Sequence, residues 1–269
     1  MHHPLLKRLI ATIFVAVGLA GCDNGSEDTD LSGTWVDLTH EFSRNAVFWP
    51  TAATFNKETV AEGMTEGGWF YSAYNFASSE HGGTHMDAPI HFAKGAMTTE
   101  KVPLSKLIGP AAVIDVSLAS ERDRDYQFTV EDVLAWEKQH GVLPEGVIVL
   151  FNTGYAAKWP DAEAYMGTAE RGPLAVGKLH FPGLSPDLAA FLVKERNIKA
   201  VGLDTPSLDH GQSKTFMTHR ILSAENIPGF ENVAALDQLP PLGATIVALP
   251  MKIKGGSGGP LRIVAHIPD

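Results

Sequence analysis

Residues 80–92, Glu80–Phe92, read EHGGTHMDAPIHF and place His81, His85, Asp87 and His91 within one short run. Three imidazoles and a carboxylate are the side chains that borderline divalent ions such as Zn²⁺ and Mn²⁺ prefer. A His-x3-His pair could sit one turn apart on a helix. Gly82, Gly83 and Pro89 argue against that, because each penalises helical backbone. The run therefore reads as a bent strand and loop, with the glycines letting the chain fold closely around an ion. A loop that is rich in histidine by chance is the bland alternative. Four ligand-type residues with Gly-Gly and Pro punctuation outweigh it.

Outward from this run the chain alternates strands and helices. Gly33–Thr39 and Gly67–Phe76 lean toward strands, the second with Trp69 and Tyr71 at alternating positions. Residues 111–116 and 147–152 are short apolar strands. Thr129 opens a helix with a capping-box start, and Gly141 stops it. Ser185-Pro186 caps a second helix over Asp187–Arg196, whose Leu188, Phe191 and Leu192 share one buried face. Lys199–Leu203 reads as a strand, and 244–249 and 261–267 as the closing strands. The pattern is a single mixed α/β domain over residues 33–269. The glycine-rich run at 255–259 (GGSGG) lacks the Lys and helix of a phosphate loop and reads as a tight loop before the last strand.

Residues 1–21 have the form of a secretion leader. Lys7 and Arg8 precede an apolar run, Leu9–Ala20, that is too short to span a bilayer comfortably. It ends in Leu-Ala-Gly-Cys, which resembles the lipoprotein cleavage box. Cys22 is the chain's single cysteine, so no intrachain disulfide can form, and lipid attachment explains it better than a nucleophile does. Residues 22–32 are mostly polar and acidic and read as a flexible tether. The expected location is outside the cytoplasm, lipid-anchored to a bacterial membrane. The net charge of −10, with no basic run, argues against nucleic acid and against docking on an anionic membrane beyond the lipid itself.

The spelling His81-Gly82-Gly83-Thr84-His85-Met86-Asp87-Ala88-Pro89-Ile90-His91 resembles the HxGTHxDxPxH motif of the cyclase family, which includes bacterial kynurenine formamidases and isatin hydrolases. The resemblance extends from about Trp35 to the C-terminus. It implies a swivelling β/β/α fold with a mixed sheet and flanking helices. It also implies a metal-dependent hydrolase that cleaves a C–N amide bond of an aromatic or cyclic amide, with one or two ions, Zn²⁺ or Mn²⁺, and a homodimer or larger homo-oligomer. A second cluster, Leu203–Lys214 (LDTPSLDHGQSK), is followed by His219 and Glu231. By the resemblance these two complete the metal site, with Asp87 bridging from an ion held by His81 and His85 to a second ion held by His219 and Glu231. His210 reads better as part of a closing loop than as a ligand.

Water held by such an ion ionises near neutral pH, about pKa 7 on Zn²⁺ against about 15.7 in bulk. The leaving nitrogen then needs a proton, and His91 matches the family's acid/base histidine. Phe48, Trp49 and Trp69 flank the motif and are the expected substrate-stacking rings. Two other readings use the same residues: a lyase, dehydratase or cyclisation enzyme, and a lipid-anchored binding protein without catalysis. Export itself favours an environmental cyclic amide such as isatin over N-formylkynurenine, which arises inside the cell.

Overall fold

The strand that carries the motif closes the fold. In the computed structural model, which describes residues 32–269, β1 (Thr34–Asp37) is followed by a hairpin of β2 (Asn56–Met64) and β3 (Phe70–Ala77). The motif strand is β4 (His85–Asp87), and the longer β5 (Ile108–Asp115) follows. A short β6 (Gln127–Phe128), β7 (Ile148–Asn152), a short β8 (Gly183–Leu184), β9 (Ala200–Leu203) and β10 (Gly229–Glu231) come next. Two long strands, β11 (Leu242–Pro250) and β12 (Gly258–Ile267), end the chain.

Eight of these form one sheet in the order β1-β12-β11-β5-β7-β9-β10-β4, and β4 also pairs with β12. The sheet thus rolls into a seven-stranded mixed barrel, with β1 added along the free part of β12. β5, β7, β9 and β10 run parallel, while β11, β12 and β4 run antiparallel to their neighbours. Parallel neighbours need crossovers. Here α1 (Leu104–Leu107) leads into β5, and α2 (Ser117–Arg122) with α3 (Val130–His140) connects β5 to β7. α4 (Ala162–Met166) and α5 (Pro186–Lys194) connect β7 to β9, and α6 (Met217–Ala224) connects β9 to β10.

The apolar runs read as strands are buried on both faces, as parallel strands under helices must be. Ala111, Val113, Ile148 and Leu150 point into the barrel, where they meet Met86 and Phe230. Ala112, Ile114, Val149 and Phe151 point outward against Val133, Leu188 and Leu192 of the helices. Local signals behaved as expected at the helix ends. Thr129 accepts from Asp132 N and Asp132 answers to the Thr129 backbone, closing a capping box, and Ser185 caps α5 through Leu188 N.

Three expectations shift. α5 starts at Pro186 and ends at Lys194, short of Arg196, because Asn197 turns the chain with a positive φ of 47°. β2 was not expected, since NKETVAEGM carries no apolar alternation; it forms by pairing with β3. The loop before the last strand ends early: Gly258 and Gly259 are already strand and pair with β4. The leader, Cys22 and the tether up to Leu31 lie outside the described residues. Among the described residues, no helix is long and apolar enough to cross a membrane.

Candidate active site and metal centre

β4 sits between β10 and β12, in register with both, so its alternation decides what faces where. Met86 enters the barrel core, and His85 and Asp87 take the opposite face. In the antiparallel pair with β10, Glu231 lies directly across from His85, which delivers a carboxylate from far along the chain. α6 packs over this face against the turn Pro89–His91 and contributes His219. Two glycines admit the close approach. Gly83 has φ +60°, and a Cβ there would meet the Phe42 ring at 2.7 Å; one on Gly258 would meet the His81 ring at 2.5 Å.

The five expected ligands converge. His81 Nδ1 lies 2.7 Å from Asp87 Oδ1, and His85 Nε2 lies 3.2 Å from the same oxygen. His219 Nε2 lies 3.1 Å from Asp87 Oδ2 and 3.1 Å from Glu231 Oε1. The other Glu231 oxygen is 3.3 Å from His85 Nε2. Two ion-sized groupings result, His81-His85-Asp87 and Asp87-His219-Glu231, and they share Asp87.

The hydrogen bonds on the far side of each ring fix which nitrogen points inward. His85 Nδ1–H donates to the Gly83 carbonyl at 3.0 Å, and His219 Nδ1–H to Asp209 Oδ2 at 2.6 Å. His81 Nε2 contacts Ser257 Oγ at 2.9 Å, and that hydroxyl gives its one proton to Glu80. His81 must therefore be the donor to Ser257. As neutral rings, all three would therefore point lone pairs inward, at two carboxylates. His85 Nε2 is buried without a hydrogen-bond partner although both carboxylates stand beside it.

Lone pairs facing carboxylates repel unless a cation lies between them. Three neutral imidazoles and two carboxylates balance a divalent ion, so this donor set fits one. With no ion in place, the carboxylates draw protons onto these rings instead. Burial alone would lower the His219 pKa, yet Asp209, Asp87 and Glu231 hold it well above its usual value. Burial pushes Asp87 up, but the surrounding histidines, His81 foremost, hold it well below the carboxylate range. Glu231 is raised by burial and by its neighbour Asp87. The cluster demands positive charge.

His91 stands apart from the ligands. Its Nε2 is 4.0 Å from Asp87 Oδ2, and its ring stacks on His81 at 3.9 Å between centroids. Burial lowers its pKa to about 4, so the ring is neutral at pH 7. It opens onto a cavity of about 280 Å³ walled by Phe48, Trp49, Phe92, Pro206 and Phe216. Two of the three expected rings, Phe48 and Trp49, are therefore in place. Trp69 is not: it lies at the turn of the β2–β3 hairpin, 62% exposed, and does not line this cavity.

Several further residues shape the site. Phe92 follows the motif directly, and Phe216 precedes α6 with an uncommon φ of +48°; their rings lie 5.3 Å apart. His210 is absent from the cluster, whereas its neighbour Asp209 holds His219. Asp204 of the DTPS run is fully buried and receives Thr153 N, Thr153 Oγ1 and Ala156 N, tying together the ends of β7 and β9. Leu208 N donates to Glu231 Oε1 at 2.8 Å, so the same run orients a ligand.

A family model, that of the cyclase family, matches residues 36–210. The chain is 31% identical over 249 residues to the isatin hydrolase of Roseibium aggregatum, covering 87% of this chain and 91% of that protein. It is 29% identical over 232 residues to a kynurenine formamidase of Bacillus cereus, covering 86% and 96%. A solved structure of isatin hydrolase A from Labrenzia aggregata, bound to benzyl benzoate, superposes with a TM-score of 0.78 at 32% identity, over 88% of this chain and 94% of that one. This chain belongs to the cyclase family.

Proposed function

We propose that this amidohydrolase opens a neutral aromatic cyclic amide of the isatin type by hydrolysis of its C–N bond. The observation that carries the choice is the cavity wall. Among the described residues it is lined by the rings of Phe48, Trp49, Phe92 and Phe216 and by no lysine or arginine, and its only carboxylates are Asp87 and Glu231 of the candidate metal cluster. A planar uncharged ring stacks well on such a wall. The formylkynurenine tail, with its ammonium and carboxylate, would go unpaired there, and burying an unpaired charge is costly.

His81, His85, Asp87, His219 and Glu231 would hold a divalent ion, which would supply Lewis acidity to water and to the amide carbonyl. The chain's own residues do the rest. His91, neutral and facing the cavity, takes the proton that water gives up as its oxygen bonds to the carbonyl carbon. It returns that proton to the nitrogen as the C–N bond breaks. Asp209 and the Gly83 carbonyl keep their imidazoles from turning. Zn²⁺ or Mn²⁺ suits the mixed N/O set, and the shared Asp87 is supporting ground for two ions. The leader-like residues 1–21 and Cys22 support an exported, lipid-anchored protein, and we propose a homodimer or larger homo-oligomer as its working form.

The test is a panel of amides with protein reconstituted in turn with Zn²⁺ and Mn²⁺. Isatin should be opened with a kcat/KM at least ~100-fold above that for N-formylkynurenine, consistent with an unpaired buried charge costing several kcal/mol. His91→Ala should keep its metal and lose about 10²–10⁴-fold in rate. A preference for the zwitterionic formamide would overturn the substrate reading, and proportional loss of metal in His91→Ala would make His91 a ligand.

A further inference from the structure

The glycine-rich run at 255–259 reads as a mere loop in the sequence, yet it forms one wall of the metal cluster. Ser257 N and Ser257 Oγ both donate to Glu80 Oε2, at 2.9 and 2.7 Å. The same hydroxyl oxygen accepts from His81 Nε2 at 2.9 Å. The loop is itself held from several sides. Ala88 N donates to the Ser257 carbonyl, Thr99 Oγ1 to the carbonyls of Gly256 and Gly258, and Gly255 N to Glu100. Ser257 is thus placed before any ion arrives.

His81 depends on this support more than the other two imidazoles do on theirs. Its side chain is 23% exposed, against 3% for His85 and 5% for His219, so packing restrains it least. It also faces the cluster through Nδ1, where His85 and His219 use Nε2. A half-turn of the ring about its Cβ–Cγ bond would take that nitrogen away from the ion. Among the described residues, the only hydrogen bond on its outer nitrogen is to Ser257. His91 stacks on the same ring, so a loose His81 would also unseat the acid/base residue.

From this geometry we infer that Ser257 and Glu80 are positioning residues that fix His81 as an Nδ1 ligand and thereby tie ion affinity to the loop at 255–259. The inference rests on the metal reading of the cluster, and the experiment separates the two. Dissociation constants for Zn²⁺ and Mn²⁺ are measured by chelator competition, with no substrate present, in the wild type, Ser257→Ala, Ser257→Thr and Glu80→Ala. Co²⁺ absorption spectra are recorded on the same proteins.

Ser257→Ala should bind ~10–100-fold more weakly, the usual size for loss of a group that orients a ligand, and should shift the Co²⁺ bands. Ser257→Thr keeps the hydroxyl and should restore affinity to within about threefold. Glu80→Ala should weaken binding in the same direction and carries the test should Ser257→Ala fail to fold. Wild-type affinity and spectra in both Ser257→Ala and Glu80→Ala would overturn this inference and leave the metal site standing. A threonine variant as weak as the alanine one would overturn it as well. A wild type that takes up no divalent ion would remove both.

Discussion

The motif strand β4 and the β2–β3 hairpin are both β-structure and close in sequence, yet they exist for opposite reasons. All three residues of β4 are buried, and strands flank it on both sides. Its conformation is dictated by long-range pairing, and its side chains are spoken for by partners from four other segments. Among the described residues the hairpin pairs only with itself and both of its faces are open, with Met64, Phe70 and Phe76 each more than half exposed. It is held by local contacts such as the Lys57 ammonium over the Tyr74 ring and the stacking of Phe55 on Phe76. Two-stranded ribbons of this kind are marginal alone in water. One region is a point of convergence for the fold, and the other is an appendage whose aromatic surface belongs to no core of this chain.

That contrast predicts where substitutions matter. The largest effect should come from Asp87→Ala, which removes the residue common to both ion groupings. Metal affinity should fall by more than ~100-fold, beyond the range for outer supporting groups, and activity should vanish with it. Elemental analysis after dialysis checks this, and a fully loaded Asp87→Ala protein would refute the assignment of the cluster.

A smaller effect is expected at the edge of the same region, where His40 N donates to Thr84 Oγ1 and the His40 ring stacks on Trp159 at 4.2 Å. Burial lowers the His40 pKa from 6.5 to about 4. On acidification the unfolded chain takes up this proton first, so stability should be intact above pH 6.5 and drain away between 6.5 and 4. A shift of that size corresponds to about 3 kcal/mol at full burial, and partial solvent contact reduces it to about 1–2 kcal/mol. Unfolding free energies from urea titrations of the wild type and His40→Phe across this range should diverge by that amount, the variant losing less. Parallel curves would mean that other groups carry the acid limb.

The smallest effect is assigned to Trp69→Ser at the hairpin turn. In the isolated chain it should change stability by less than ~0.5 kcal/mol and leave ion affinity untouched. A large loss of turnover together with a change in sedimentation would break the comparison, because it would mean that a second copy covers the ribbon and borrows its rings.

What could be read from the sequence follows the same division. The candidate ligands in Glu80–Phe92 are legible because their residue types are chemically specific and crowded, and the resemblance supplies His219 and Glu231 as further candidates. The register that sets Glu231 across from His85 has no local trace, since it is decided by which strands meet when the barrel closes. α6 escaped notice because it has eight residues and starts from Phe216 in a left-handed conformation without a side-chain cap. Trp69 was assigned to substrate on its nearness along the chain. Its alternation with Tyr71 suggests a strand from Gly67, whereas β3 begins at Phe70 and leaves Trp69 in the turn. Asp209 was overshadowed by the adjacent His210, although an imidazole ligand needs an outer acceptor and a carboxylate ten residues before His219 was available. Nothing in GGSGG alone marks Ser257 as a partner for His81.

The seam at which β4 meets β12 also sets a schedule. His81 and Ser257 are 176 positions apart, so that length of chain must be made after His81 before they can meet. Joining ends that distant is slow and entropically costly. A nascent chain lacking its last strand has its histidines already synthesised but no wall against which to set them. Ion capture is therefore expected among the last events of maturation, and a chain cut short before Gly258 should leave the ribosome with every ligand and no centre.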